Sequence, residues 1–345
     1  MPVQERHAFD VERLSAFMRE RVEGFAGPVT VEQFKGGQSN PTFLVVTPGQ
    51  RYVLRRKPPG KLLPSAHAVD REYRVISALH QAGIPVARSY ALCEDETVIG
   101  TPFYLMEYVE GRVLWDQALP GMTREERRAI YDEMNRVIAA LHQVDYVKVG
   151  LGDYGKPGNY LARQIGRWSK QYRASETEKI PEMERLIEWL PQHIPGDEET
   201  SVVHGDYRLD NVIFHKTEPR ILAVLDWELS TLGHPLADFS YHCMYWRLRP
   251  EQFRGIGGLD LAALGIPSEE EYVAMYCRRT GRTHIDHWDY YAAYNMFRLS
   301  AICQGIMGRV VDGTASSQHA VESGKKARPL AEAGWQQVEK ILARG

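Results

Sequence analysis

The sequence predicts an α+β protein of two lobes, a small antiparallel-sheet lobe at 1–108 and a larger, mainly helical lobe at 109–345. Three features point there. Between residues 29 and 56, three short β-type runs are separated by Gly/Pro/Asn turn signals. After Gly121, apolar residues recur at helical spacing, as Ile130, Met134, Val137, Ile138 and Leu141 do. In between, residues 201–228 read as strand, polar loop, short strand, turn and a last apolar strand running into Asp226. A chain of 345 residues is long enough to bury two cores.

Composition narrows the partners. With 43% hydrophobic and 25% charged residues and a net charge of −3, there is no electrostatic case for nucleic acid or an anionic membrane. Cys93, Cys243, Cys277 and Cys303 are far apart and read as reduced thiols. The first residues lack the apolar stretch of a signal peptide, and no run approaches the ~18 apolar residues of a membrane span. The expected location is the cytoplasm.

Taken in order, Asp10 caps a helix carrying Val11, Leu14, Phe17 and Met18, and Gly27-Pro28 end it. Strands follow at 29–34, 42–46 and 52–56. Gly36-Gly37-Gln38-Ser39-Asn40 join the first two, a loop whose backbone N–H groups can approach phosphate oxygens closely. Alternation on the third strand puts Val53, Arg55 and Lys57 on one face, so Arg55 or Lys57 supplies a cation for phosphates. A helix beginning at Asp70 places Val69, Tyr73, Ile76 and Leu79 on an apolar stripe. Glu72 lies off that stripe, where it can pair with the strand cation.

Sheet segments at 86–92 and 103–109 come next, separated by a polar turn at 93–97. At Glu107, Tyr108 and Val109 the chain passes toward Gly111 and the second lobe, offering main-chain groups to the edge of an adenine. Thr123 and Glu126 form a capping box. Helices are expected at 163–172 and 181–190, and the chain is mainly helical and aromatic-rich from Phe239 onward.

The chemistry concentrates in residues 204–226. His204-Gly205-Asp206, with Asn211 five residues after Asp206 and a strand ending at Asp226, has the H-x-D-x-x-x-x-N and metal-loop spacing of protein-kinase-like phosphotransferases. A carboxylate can accept a substrate hydroxyl proton. A carboxamide oxygen and a second carboxylate can hold Mg²⁺ against ATP phosphates.

The strings HGDYRLDN, VLDWE and GHPLADFS resemble the aminoglycoside phosphotransferase family. With YVLRRKPPG and GTPFYLMEYVEGR upstream, the chain is similar to one branch of it, the kinase-like domains fused to or encoded beside acyl-CoA dehydrogenases. The resemblance runs in matching order from Gly36 to Asp238. It implies a protein-kinase-like two-lobe fold, ATP and Mg²⁺ as cofactors, and a functional link to an acyl-CoA dehydrogenase. It makes Asp206 the catalytic base and Asn211 and Asp226 the Mg²⁺ ligands, with Glu228 assisting. It gives His204 a bracing role and has Asp238 hold the loop backbone. Two positions depart from the pattern: Arg55 stands where a lysine is usual, and His234 where an aspartate is commoner.

The expected reaction is γ-phosphoryl transfer from Mg-ATP to a small-molecule hydroxyl. From Phe239 onward there are 13 Lys/Arg against 11 Asp/Glu, which fits a hydroxy acid or hydroxyacyl-CoA better than a polycationic aminoglycoside. Choline-type alcohols and sugars are the alternatives, as is a nucleotide-binding pseudokinase. A metal-hydrolase reading of His204, Asp206, His215, His234 and His242 lacks any tight ligand pair.

Overall fold

A computed structural model describes residues 1–34, 40–58, 67–196, 198–315 and 319–344; the loop residues Gly36, Gly37, Gln38 and Ser39 lie outside these. The strands are β1 (Thr30–Gln33), β2 (Thr42–Val46), β3 (Arg51–Arg56), β4 (Ser89–Cys93), β5 (Phe103–Glu107), β6 (Ser201–Val203), β7 (Val212–Phe214), β8 (Ile221–Val224) and β9 (Thr231–Gly233). The longer helices among α1 to α13 are α1 (Val11–Arg21), α2 (Val69–Gln81), α4 (Arg124–His142), α5 (Tyr160–Ala174), α6 (Pro181–Trp189), α7 (Pro235–Cys243), α10 (Glu269–Thr280), α11 (Trp288–Val311) and α13 (Ala327–Leu342). Short helical turns are α3 (Glu96–Ile99), α8 (Pro250–Phe253), α9 (Leu261–Leu264) and α12 (Ala320–Gly324). Among the described residues, no helix is long and apolar enough to cross a membrane.

Two compact units form, each from several stretches of chain. One takes Met1–Arg112, Val147–Leu151 and Val212–Ser230; the other takes Val113–Tyr146, Gly152–Asn211 and Thr231–Gly345. In the first unit, an antiparallel sheet has the order β1-β2-β3-β5-β4. Its apolar residues Phe43, Val45, Leu54 and Leu105 pack with Leu14 and Met18 of α1. Asp10 caps α1 by accepting the Arg13 N–H at 3.0 Å.

Several local expectations need correction. Helix α1 stops at Arg21, before Gly27-Pro28, because the Phe25 N–H turns back to Val22 O through a left-handed Gly24. The strand expected at 86–92 starts at Ser89, since Pro85 gives its carbonyl to the Val224 N–H of β8. The polar turn after it is the helical turn α3, because Asp95 caps the N–H of Thr97 at 2.8 Å. On α2 the buried stripe includes Glu72 and Val75, and Tyr73 is only half-buried.

The hairpin β7–β8 belongs to the first unit. Arg112 and Phe214 exchange backbone hydrogen bonds at 2.9 Å in both directions. Gly111 permits this, as a Cβ there would lie 2.2 Å from Phe214 O.

The second unit is helical around α11, which packs on α13, α5 and α7. Helix α4 carries the expected capping box, Thr123 Oγ1 accepting from Glu126 N–H and Glu126 accepting from Thr123 N–H. Its face of Ile130, Met134, Val137, Ile138 and Leu141 is buried. Of the aromatics after Phe239, Tyr241, Tyr245, Tyr272, Tyr290 and Tyr294 are packed inside.

His242 of α7 is fully buried, 2.8 Å from Tyr272 OH, and burial pulls its pKa from 6.5 down to about 3. The unfolded chain therefore takes up a proton at this position as pH falls below 6.5, before the folded one does. Stability is complete above 6.5 and should fall by up to about 1.4 kcal/mol per pH unit on the way to about 3. His242→Phe is expected to flatten that slope, read from urea midpoints across the acid range.

Candidate active site

In the first unit, the register of β3 against β5 sets Arg55 opposite Tyr104. Arg55 Nε lies 2.8 Å from Glu72 Oε2 on α2, an ion pair without hydrogen-bond alignment. Its Nη2 donates to Asp226 Oδ1 at 2.9 Å and to Glu228 Oε2 at 3.3 Å. Glu72 also accepts from Asn40 Nδ2 at 2.7 Å and from Tyr104 OH at 3.0 Å. Burial pushes the Glu72 pKa up, while Arg55, Tyr104 and Asn40 pull against it. Burial opposes the Arg55 charge too, but Glu72 foremost, with Tyr104, Asp226 and Glu228, more than offsets it.

The strand cation and helix glutamate are therefore joined. Arg55→Met strands a carboxylate only 2% exposed and is expected to cost about 3–5 kcal/mol in urea unfolding. Replacing Arg55 and Glu72 together by methionine should cost less than the single change.

Asp226 follows β8 with a left-handed backbone, φ 62°, and opens the turn 227–229. Trp227 anchors that turn: its buried indole N–H donates to Val224 O at 3.0 Å. Asn40 is 1% exposed, with its carboxamide on Glu72 and on His67 Nδ1 at 2.9 Å. Among the described residues Lys57 makes no ion pair; its backbone N–H donates to Pro102 O. The Glu107 N–H is already given to Arg88 O at 2.8 Å, and the Tyr108 ring lies 4.3 Å beneath the Arg51 guanidinium. Val109 is half-buried just beyond β5.

In the second unit, β6 pairs antiparallel with β9 and delivers the chain into the 204–211 loop. Asp238 of α7 pins that loop. Its carboxylate accepts the N–H of His204 and of Gly205, each at 2.8 Å, and lies 3.1 Å from His142 Nε2 of α4. Burial would raise the Asp238 pKa, but His142, and then His204 with its N–H, hold it below the usual value. His204 is fully buried and its Nδ1 accepts the Asp206 N–H at 3.1 Å. Gly205 takes φ 84°, a left-handed conformation that turns Asp206 outward from the strand.

The Asp206 side chain is held on both oxygens. Tyr241 OH donates to Oδ1 at 2.6 Å and Asn211 Nδ2 donates to Oδ2 at 2.9 Å, while Arg208 Nε sits 3.1 Å from Oδ1. Burial, then the negative charge of Asp206, keeps the Tyr241 phenol protonated and donating. Asn211 also donates to Asp206 O at 2.9 Å, and both bonds use its nitrogen. His234 caps α7, accepting the Leu236 N–H at 3.2 Å.

Sequence reasoning counts Tyr241 only among the aromatics after Phe239, with packing the expected role, and passes over His142 and Arg298. Tyr241 lies one helical step beyond Asp238 and could be found that way. Arg298 is distant in sequence and carries no motif.

The carboxylates of Asp226 and Glu228 in the first unit and, separately, the carboxamide oxygen of Asn211 in the second are hard oxygen donors, the chemistry Mg²⁺ takes. Among the described residues, no cluster of three or more His, Cys, Asp or Glu side chains has the makings of a metal site by itself.

Fold and loop together define a class, that of protein-kinase-like phosphotransferases with a hydroxyl acceptor. The chain belongs to the phosphotransferase enzyme family, which it matches over residues 30–294. It is 48% identical over 338 residues to mouse acyl-CoA dehydrogenase family member 10, covering 97% of this chain but only 32% of that protein. A crystal structure from Ralstonia eutropha JMP134, provisionally assigned as an aminoglycoside phosphotransferase, is 64% identical with a TM-score of 0.90, covering 96% of this chain and 99% of that one. The fold is shared with aminoglycoside phosphotransferase APH(4)-Ia, solved with ADP and hygromycin B. There the TM-score is 0.60 and the identity 17%, over 93% of this chain and 97% of that one.

Proposed function

We propose that the protein transfers the γ-phosphoryl group of Mg-ATP to the hydroxyl of a small hydroxy acid or hydroxyacyl-CoA. The observation that carries this reading is the Asp206 carboxylate, fixed by Tyr241 and Asn211 on a loop pinned by Asp238. A carboxylate held this way is ready to orient an acceptor hydroxyl and take its proton. The acceptor oxygen bonds to the γ-phosphorus, the bridging P–O bond breaks, and ADP leaves with the electron pair.

Arg55, oriented by Glu72, serves the ATP phosphates, with Lys57 as a second cation; Asn40 supports Glu72. Main-chain groups at 107–109 serve the adenine edge. Residues 1–108 act as the nucleotide lobe and 109–345 as the catalytic and acceptor lobe. Asn211 and Asp226, with Glu228 assisting, would hold Mg²⁺, which would supply charge neutralisation at the phosphates. ATP use is supported by the family and by the ADP bound in the related phosphotransferase.

For the acceptor, the balanced charge after Phe239 argues against a polycation. The acyl-CoA dehydrogenase name of the mouse relative supports an acyl-chain substrate and a functional link to such a dehydrogenase. A cytoplasmic location is supported by four free, buried cysteines.

The test is Mg²⁺-dependent ADP release with aminoglycosides, choline-type alcohols, sugars, hydroxy acids and hydroxyacyl-CoAs. Turnover is expected with the last two classes. Turnover confined to aminoglycosides would overturn the acceptor reading.

A further inference from the structure

Arg298 lies on α11, only 6% exposed, and reaches a loop 93 residues away along the chain. Its Nη2 donates to Gly205 O at 2.7 Å, one residue before Asp206. The guanidinium lies 5.0 Å from the Tyr241 ring and 5.7 Å from the Trp168 ring. Tyr241 is also the residue whose hydroxyl holds Asp206 Oδ1.

Among the described residues Arg298 forms no ion pair, and the Gly205 carbonyl is its one hydrogen-bond acceptor. Burial disfavours the charge, but Tyr294, Tyr160, Tyr241 and Asp206 more than offset it, so the guanidinium stays charged. A charged guanidinium with a single carbonyl acceptor keeps further N–H groups that an anion can take. Arginine presents a planar fork that fits a carboxylate on two N–H groups.

We propose that Arg298 is the specificity-determining residue for an acceptor bearing a free carboxylate, which it binds while Asp206 takes the hydroxyl. This rests on the phosphotransferase reading and narrows it, favouring hydroxy acids over their thioesters. Trp168 and Tyr241 give the anchor a rigid aromatic setting that leaves the guanidinium few other orientations. A polycationic acceptor meets a fixed positive charge there and is disfavoured.

The test is calorimetric binding of short- to medium-chain hydroxy acids, their methyl esters and their CoA thioesters to the wild-type protein and to Arg298→Gln and Arg298→Lys. At least one acid is expected to bind roughly a hundredfold tighter than its ester, with that preference lost in Arg298→Gln and partly kept in Arg298→Lys. Equal binding of every acid and its ester, or a thioester bound tighter than its acid, would overturn the proposal. The wild-type comparison stands even where a variant fails to fold. Steady-state kinetics give a second way to overturn it. If Arg298 only braced the loop, Arg298→Gln would lower kcat for acid and ester by one factor and leave both KM values unchanged. Acid-selective binding without Mg-ATP turnover would instead count against the phosphotransferase reading and leave the anion site standing.

Discussion

Asp206→Ala is expected to lower kcat by about 10²–10⁴ while leaving the Kd for Mg-ATP within a few-fold of wild type. The split follows from where Asp206 is held. Its oxygens are engaged by Tyr241 and Asn211, and the ion pairs of Arg55 lie on other residues. Asp206→Asn keeps the shape and can still accept from Tyr241, but it cannot take a proton, so its kcat should fall nearly as far. Steady-state kinetics and nucleotide titration separate the two quantities. A parallel loss of nucleotide affinity would assign Asp206 to binding and not to proton transfer.

The second large effect is structural. Asp238→Ala removes the acceptor for two backbone N–H groups and one of the partners of His142, all in a site only 4% exposed. A loss of about 3–5 kcal/mol in urea unfolding is expected, together with loss of turnover as the loop loosens. The pH dependence has a definite sign. The folded pKa of Asp238 is depressed, so its stabilisation is present above the unfolded value of about 3.9 and is lost as pH falls through the folded value. The Asp238→Ala variant should lack this acid-side contribution. A change below about 1 kcal/mol would mean that the two N–H groups find other acceptors.

Much of the fold is legible because local signals agree with their surroundings. The strand at 42–46 is apolar between turn signals and forms β2 over Thr42–Val46, and the Thr123/Glu126 box starts α4 where the residues require. Boundaries fail where a side chain or a distant carbonyl decides. Asp95 winds a helical turn out of a polar loop, and Pro85 pairs with β8 when strand propensity would extend β4. Glu72 illustrates the limit of periodicity. Its place is set by Arg55, Tyr104 and Asn40, each remote in sequence, so a carboxylate off the apolar stripe ends up buried. In the loop, spacing alone picks out His204, Asp206 and Asn211. Tyr241 follows from its place one turn beyond Asp238 on α7, whereas Arg298 becomes visible only when α11 brings it to that loop.

Phosphorus NMR of a reaction containing Mg-ATP, a hydroxy acid and the wild-type protein tests the central claim most directly. A new phosphomonoester resonance should grow in step with ADP, and only when Mg²⁺ and the acceptor are both present. Inorganic phosphate as the sole product, or ADP formation indifferent to the acceptor, would contradict transfer to a hydroxyl.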